Sequence, residues 1–263
     1  MNVTAIIIAA LVVGAVGIIL GFFLGISGEK FKVEVDPREE AILEVLPGNN
    51  CGGCGFPGCD GLAAAIAAGT APVNGCPVGG APVADKIAAI MGVESGSSEK
   101  KVAFVKCKGT CDKTNVKYNY YGITDCSMVT VAPGSGEKAC AYGCMGYGSC
   151  VKACQFDAIH VVDGVAVVDK EKCVACGKCV ATCPKGLIEL VPYKAEHLVQ
   201  CSSHDKGPAV KKVCTAGCIG CTLCTKQCES DAIHMENNVA VIDYSKCTNC
   251  GKCAAKCPAK VII

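Results

Sequence analysis

The chain has 263 residues, of which 25 are basic, 24 are acidic and 25 are cysteine. This balanced charge excludes a general nucleic-acid-binding protein, which would be strongly basic. Tryptophan is absent and aromatic residues are few, which excludes a large aromatic core. Such a cysteine content is typical of disulfide scaffolds, zinc sites or iron–sulfur clusters, and bound metal would supply the stability that a small core lacks.

Residues 3–26 form an uncharged segment, VTAIIIAALVVGAVGIILGFFLGI. As a helix it would span about 36 Å, enough to cross a bilayer with some tilt. A cleaved signal peptide would have a basic segment before a shorter apolar stretch, and only the N-terminal amine precedes this one. We therefore predict a single-pass membrane anchor over residues 1–28.

Charged residues follow the anchor, beginning with Glu29, and the basic ones among them are Lys30, Lys32 and Arg38. The positive-inside rule places these basic residues, and the rest of the chain, on the cytoplasmic side of the cell membrane. Because the cytoplasm is reducing, disulfides rarely persist there. Zinc and iron–sulfur clusters are then the main alternatives for the cysteines.

Within the anchor, Gly17, Gly21 and Gly25 form two overlapping GxxxG steps. Glycine is frequent in membrane helices, so this spacing can arise by chance. It also lets a second helix approach closely, and we expect a helix partner and thus a membrane complex.

The segment CGGCGFPGC (51–59) and a later Cys-Pro pair give the spacing C-x2-C-x4-C-x16-C-P. Four thiolates fit one [4Fe–4S] cluster, and the glycines allow backbone N–H groups to approach the sulfurs. The stretch GLAAAIAAG between them predicts a short helix that returns the fourth ligand. We expect a single-cluster domain over 29–92 and a polar, flexible linker over 93–101. Its ligands are Cys51, Cys54, Cys59 and Cys76.

A repeat with a period of 74 residues occupies the C-terminal half. CQFDAIHVVDGVAVVDKEKC (154–173) and CESDAIHMENNVAVIDYSKC (228–247) have equal length, with DAIH and VAV at the same offsets. Each copy predicts a short hairpin between cysteine-rich loops. We expect a double ferredoxin-like domain over 102–263, with repeats near 140–191 and 214–263.

Three runs in this half have the spacing C-x2-C-x2-C-x3-C, and two of them end in proline. This is the spacing of bacterial ferredoxins, in which three thiolates bind one [4Fe–4S] cube and the fourth reaches the neighbouring cube. Zinc sites use two separated CxxC pairs around one ion, so we favour iron–sulfur clusters. The runs are Cys173, Cys176, Cys179 and Cys183; Cys218, Cys221, Cys224 and Cys228; and Cys247, Cys250, Cys253 and Cys257.

The crossover rule predicts how these cysteines group. Three clusters follow directly from it, with the ligands Cys218, Cys221, Cys224 and Cys257; Cys247, Cys250, Cys253 and Cys228; and Cys173, Cys176, Cys179 and Cys154. In a fourth, Tyr147 stands where the second repeat has a cysteine, and we expect an upstream thiol to replace it. That cluster would have Cys140, Cys144, Cys150 and Cys183.

Five cysteines remain, either as free buried thiols or as ligands of a sixth cluster. Cys107 and Cys111 form a half site, and Cys126 follows in the same insert. DCS (125–127) and QCS (200–202) precede the two repeats at near-equivalent places, so we favour Cys201 over Cys214 as the fourth ligand. The expected cofactors are thus five [4Fe–4S] clusters and a sixth in Cys107, Cys111, Cys126 and Cys201.

The expected fold class is α+β: one transmembrane helix, a small [4Fe–4S] domain and a duplicated ferredoxin-like domain. Residues 102–263 contain 19 lysines against 14 acids, whereas residues 1–101 contain 6 basic and 10 acidic residues. This difference is either ordinary surface charge or a basic surface for an acidic protein partner.

The glycine-rich membrane helix, CGGCGFPGC with Cys76-Pro77, and the ferredoxin-type C-terminal half together resemble the RnfB family, the B subunits of Rnf ion-translocating ferredoxin:NAD oxidoreductases. The resemblance covers essentially the whole chain, although the cysteine-rich insert at 102–150 and the doubled module depart from the simplest family pattern. It implies a translocase subunit that accepts electrons from soluble ferredoxin and passes them to other membrane subunits. Na⁺ or H⁺ translocation and NAD reduction would occur elsewhere in the complex.

No G-x-G-x-x-G follows a predicted strand and no P-loop pattern is present, so we expect no independent catalytic site. Two alternatives remain, the first with the same chemistry and different partners, the second from another functional class. One is an electron-feeding subunit of another membrane reductase or hydrogenase. The other is a membrane-tethered redox sensor or cluster carrier, for which an output domain would be expected.

Overall fold

The computed structural model describes residues 3–30, 36–96, 99–132 and 134–263. Helix α1 (Val3–Lys30) is apolar on all faces, and its segment Leu11–Gly28 has a mean hydropathy of 2.3 with no part buried. By length and composition it can cross a membrane. Lys32, one of the predicted orienting residues, lies outside the described residues.

Three helices form a small unit after α1: α2 (Pro37–Val45), α3 (Cys59–Ala67) and α4 (Gly80–Met91). Helix α2 begins where the Asp36 side chain accepts a hydrogen bond from the Arg38 N–H (2.9 Å), which satisfies a free N-terminal donor. Buried aliphatic side chains of all three helices form one core: Ile42, Leu62, Ile66 and Ile87. This core fixes the loops that carry the first four cysteines.

Strand β1 (Lys101–Val105) pairs antiparallel with β4 (Ile188–Pro192). In the chain, β1 precedes the first repeat and β4 lies at its end. β1 begins at the last residue of the predicted linker. The linker is bonded at both ends, since Asn74 donates to the Gly96 carbonyl (3.2 Å) and the Lys100 carbonyl accepts from the Tyr193 N–H (2.8 Å). Residues 97 and 98 lie outside the described part.

The two repeats contain matching hairpins: β2 (Ile159–Val162) with β3 (Val165–Val168), and β5 (Ile233–Glu236) with β6 (Val239–Ile242). Both turns place two successive residues at positive φ, Asp163-Gly164 and Asn237-Asn238. This backbone matches the twist of a two-residue hairpin. The remaining helices are short: α5 (Cys126–Val131), α6 (Ser149–Ala153), α7 (Lys178–Thr182), α8 (Gly207–Val213), α9 (Leu223–Lys226) and α10 (Lys252–Ala255).

Residues 114–117, the connecting segment, join the two repeats. On one side the Asn115 N–H donates to the Val213 carbonyl (3.0 Å), and on the other the Asn115 carbonyl accepts from the Ala139 N–H (2.7 Å). Isolated bridges extend this pairing to Cys214 and Lys138. The chain just before the first repeat and the chain just before the second are therefore held side by side.

Candidate metal centres

Five cavities in the C-terminal half are each lined by four cysteines. We label these five groups B to F, in the order in which they follow one another through the protein. A further group in the helical unit, described next, is set A. Set B is Cys154, Cys173, Cys176 and Cys179; set C is Cys126, Cys144, Cys150 and Cys183; set D is Cys107, Cys140, Cys201 and Cys214; set E is Cys218, Cys221, Cys224 and Cys257; set F is Cys228, Cys247, Cys250 and Cys253.

Set A is the group Cys51, Cys54, Cys59 and Cys76 in the helical unit. Cys54, Cys59 and Cys76 pack against the same apolar core. Burial raises the pKa of Cys76, and the thiols of Cys51 and Cys59 raise it further, while N–H groups of Gly79 and Val78 oppose the rise. The four side chains therefore converge where the loops before α3 and α4 meet.

Sets B, E and F have the members that the crossover rule assigns. In each, three cysteines come from one loop that leads into a short helix. The fourth cysteine follows the other short helix of the same cysteine-rich repeat. Helix α7 illustrates the geometry: Cys179 on it faces set B, and Cys183 directly after it faces set C. Four of the short helices, α6, α7, α9 and α10, thus contribute to two neighbouring sets each.

Set C differs from the predicted group, because Cys126 rather than Cys140 takes the fourth position. Cys126 begins α5, and its N–H donates to Ser149 Oγ (2.8 Å), which in turn donates to Asp125 Oδ2 (2.8 Å). Ser149 precedes Cys150 on α6, so this pair of bonds fixes Cys126 beside the rest of the set. The hydrogen bond from Ser149, followed by those from backbone N–H groups, holds the pKa of Asp125 below its usual range.

Set D differs from the predicted sixth group, Cys107, Cys111, Cys126 and Cys201. It contains Cys140 and Cys214, which the connecting segment brings together by pairing with the chain just before Cys140 and with Cys214 itself. These two cysteines are 74 residues apart, at equivalent places in the repeats. That equivalence was the sequence signal for a site shared between the repeats.

Cys111, included in the predicted sixth group, lines none of the five cavities among the described residues. Its side chain is exposed, and its Sγ lies beside Gly164 in the β2–β3 turn. The short spacing to Cys107 is misleading because the turn after Cys107 directs the two side chains apart. Of the 25 cysteines, Cys111 is the one outside sets A to F.

Backbone N–H groups point at many of the sulfurs. Cys201 Sγ accepts from the Ser203 N–H (3.4 Å) and the Cys218 N–H (3.3 Å), and Cys173 Sγ accepts from the Ala103 N–H (3.3 Å). Similar bonds reach further sulfurs in sets A to F: Cys76, Cys107, Cys154, Cys183 and Cys228. N–H···S bonds of this kind stabilise thiolate ligands and tune cluster potential.

Burial dominates the electrostatics of these thiols. It raises the pKa of Cys150 to about 12, with the neighbouring cysteines adding to the rise. It also raises the pKa of Cys201 to about 11, against the opposing N–H groups. Such thiols stay protonated at neutral pH unless a metal displaces the proton.

The donor chemistry fits [4Fe–4S] clusters. Each of the five cavities is surrounded by four thiols and backbone N–H groups, the ligand type that iron–sulfur clusters take. Within residues 3–30, 36–96, 99–132 and 134–263, no three His, Cys, Asp or Glu side chains are close enough to hold a single metal ion. Four thiols spread around a cavity suit a cube rather than one tetrahedral zinc ion.

The six sets lie in one file, in which each neighbouring pair is in contact. The Gly53 loop of set A meets Cys176 of set B. Helices α6 and α7 pack together between sets B and C, as α9 and α10 do between sets E and F. The Cys144 N–H donates to Cys107 Sγ (3.3 Å) between sets C and D, and the Cys218 N–H to Cys201 Sγ between sets D and E. Set D therefore joins the two repeats.

Lys138 adds a buried positive charge to the middle of the file. Its side chain lines the cavity of set D, and its Nζ donates to the carbonyls of Gly109 (3.0 Å) and Gly164 (2.6 Å). Burial raises the pKa values of Cys107 and Cys144, whereas N–H groups and Lys138 oppose both rises. The ammonium group therefore acts on sets C and D alike.

Three family models match the chain in the regions of these thiols. Residues 46–78 match the model described as "Putative Fe-S cluster", which covers set A. Residues 166–189 match a 4Fe-4S binding domain, and residues 217–261 match a 4Fe-4S dicluster domain. Together with α1, these matches define the class: a membrane-associated iron–sulfur protein of the ferredoxin type with [4Fe–4S] cofactors.

Similarity to curated proteins extends over nearly the whole chain. It is 49% identical to the B subunit of the Na⁺-translocating ferredoxin:NAD⁺ oxidoreductase complex of Acetobacterium woodii, over 98% of this chain and 78% of the relative. It is 44% identical to the B subunit of an ion-translocating oxidoreductase complex of Methanosarcina acetivorans, over 95% of each. For the B subunit of the proton-translocating complex of Clostridium ljungdahlii the identity is 40%, over 100% of this chain and 93% of the relative. The chain belongs to the RnfB family, the B subunits of Rnf-type complexes.

Proposed function

We propose that this chain is the electron relay of an ion-translocating ferredoxin:NAD oxidoreductase complex, and that sets A to F each hold one [4Fe–4S] cluster. The observation that carries the proposal is the file itself: six sets of four thiols, each in contact with the next. When bound, each cluster supplies a site that gains and loses one electron. The chain positions these sites in series and buries thiols of the middle ones, such as Cys107 and Cys214 of set D.

Soluble ferredoxin, in this proposal, donates electrons at the end formed by sets E and F. There Cys221 and Cys250 are exposed, unlike the buried Cys107 and Cys214 of set D. The same end carries exposed lysines suited to an acidic partner: Lys226, Lys246, Lys252, Lys256 and Lys260. Lys252 pairs with Glu229 and Lys246 lies 4.0 Å from Asp243. Asp231 and Glu236 are also exposed at this end, so its five lysines stand against four acids.

Set A would be the exit toward the membrane subunits. It belongs to the helical unit that starts at Pro37, a few residues after α1 ends at Lys30, so it stays near the bilayer. The cytoplasmic side is the expected location of sets A to F, from the positive-inside rule. NAD reduction and Na⁺ or H⁺ translocation occur on other subunits, and no side chain of this chain acts as acid, base or nucleophile.

The test replaces one thiol of set A in the complete complex. Cys54→Ala should abolish ferredoxin-driven NAD reduction by membranes that contain the complex, and should remove about four irons from the chain. Cys111→Ala is the matched control, because Cys111 lies outside the six sets, and it should leave both readouts at the wild-type level. Immunoblots of the membranes confirm that both variants assemble. Wild-type NAD reduction in the assembled Cys54→Ala complex would overturn the relay.

A further inference from the structure

Gly53 marks an unusually close approach between the set A loop and the first repeat. A Cβ atom added to Gly53 would lie 2.6 Å from the Cys176 carbonyl oxygen and 2.9 Å from its Cα. Real Cβ atoms do not come so near to another backbone, so any side chain at position 53 would push the two loops apart. The obstructing atoms are main chain and cannot rotate away.

The reason for glycine at this position is therefore the contact and not the turn. Gly52 and Gly55, on either side, have φ values of +71° and +85°, which favour glycine for their own conformation. Gly53 is absent from the positive-φ region, so alanine can adopt its backbone conformation without strain. The set A loop can accept a methyl group at position 53, whereas the interface with Cys176 cannot.

The contact joins two sets of thiols directly. Gly53 lies between Cys51 and Cys54 of set A, and Cys176 belongs to set B. Sets A and B thus meet through these two loops with no intervening layer of side chains.

We propose that Gly53 is a positioning residue that holds sets A and B at the distance required for electron transfer between them. The inference rests on the proposed relay, and extends it to one residue that contacts no substrate. Because electron transfer weakens steeply with distance, a side chain at position 53 slows the step from set B to set A. It leaves each set able to bind its own cluster.

The experiment compares Gly53→Ala and Gly53→Val with Gly61→Ala in the full-length chain. Gly61 is the control because it lies on α3 of the same unit, and the atoms nearest to its added Cβ would be side-chain atoms of Pro57 (3.3 Å) and Phe56 (3.8 Å) rather than main chain. Three quantities are measured. They are iron and sulfide per chain, the magnetic interaction between reduced clusters by electron paramagnetic resonance, and the rate of proteolysis at residues 99–101, the end of the predicted linker between the set A unit and the repeats.

We expect wild-type iron and sulfide in all three variants. In both Gly53 variants the magnetic interaction between sets A and B should weaken, more in Val than in Ala, and cleavage at Glu99–Lys101 should become faster. Gly61→Ala should match the wild type in every measurement. In the full complex, the Gly53 variants should also reduce NAD more slowly.

Two results would overturn this inference. One is unchanged magnetic interaction and protease protection in both Gly53 variants. The other is loss of about four irons in Gly53→Ala. Glycine at position 53 would then be needed for set A to bind its own cluster and not for the contact with Cys176. A wild-type chain without iron and sulfide is a different failure, because it would remove the relay itself.

Discussion

At the scale of single residues, Lys138 sets the electrostatic character of the middle of the file. A buried ammonium group stabilises a reduced cluster, which carries one more negative charge than the oxidised one. Lys138→Met should therefore shift the midpoint potential of the cluster in set D to a more negative value, and that of set C in the same direction by less. Redox titration followed by electron paramagnetic resonance measures both shifts.

Lys138→Arg is the control for this prediction because it keeps the charge. The Met variant also leaves the Gly109 and Gly164 carbonyls without their donor, which should lower the free energy of unfolding by about 1–3 kcal/mol. Potentials unchanged in Lys138→Met, with iron content retained, would contradict the electrostatic role.

Cys140 and Cys126 provide a second test at this scale. Cys140→Ser should lower the occupancy of the cluster proposed for set D, and Cys126→Ser that of the cluster proposed for set C. Each variant should lose up to about four irons per chain. Iron and sulfide analysis of the purified chain measures the loss, with Cys111→Ser as the matched control. The two groupings differ over Cys111 and Cys214. If Cys111→Ser lost iron and Cys214→Ser did not, the grouping from sequence spacing would be preferred to the one in the structure.

At the scale of elements, the connecting segment determines which thiols meet in set D. The Asn115 N–H bonds to Val213, whereas within the described chain the Val116 N–H donates no backbone hydrogen bond. Asn115→Pro should therefore lower the free energy of unfolding by about 1 kcal/mol and make set D the first to lose iron to a chelator. Val116→Pro is the matched control and should retain iron like the wild type. Equal rates of iron loss in the two variants would contradict this role.

The same element explains how far the sequence predicts the site. Sets B, E and F follow from spacing, because three thiols lie on one loop and the repeat supplies the fourth. Set C departs from the predicted group at one ligand, Cys126. Set D depends on pairings across about 100 residues, such as Thr114 with Cys214, which no local pattern encodes. The Asp125–Ser149 hydrogen bond that fixes Cys126 is a contact of the same non-local kind. The hairpins were predictable because their turn residues occur at equal offsets in both copies.

At the scale of the whole molecule, α1 and the thiol sets are independent in their packing. The segment Leu11–Gly28 buries nothing against the rest of the chain. Deletion of residues 1–30 should therefore release the protein from the membrane fraction with its iron and sulfide per chain unchanged. Fractionation and metal analysis test this, with the full-length chain, expected to need detergent for extraction, as the reference. Loss of iron on deletion would show that α1 supports the sets.

The uneven exposure of the thiols along the file has a consequence for handling the protein in air. Oxidation of cysteine follows accessibility, and Cys221 and Cys250 at one end are open to solvent while Cys107 and Cys214 in the middle are buried. Oxygen therefore attacks sets E and F first. A briefly aerated sample would keep the cofactors proposed for the middle sets and its colour, yet would lose those at the end proposed to receive electrons.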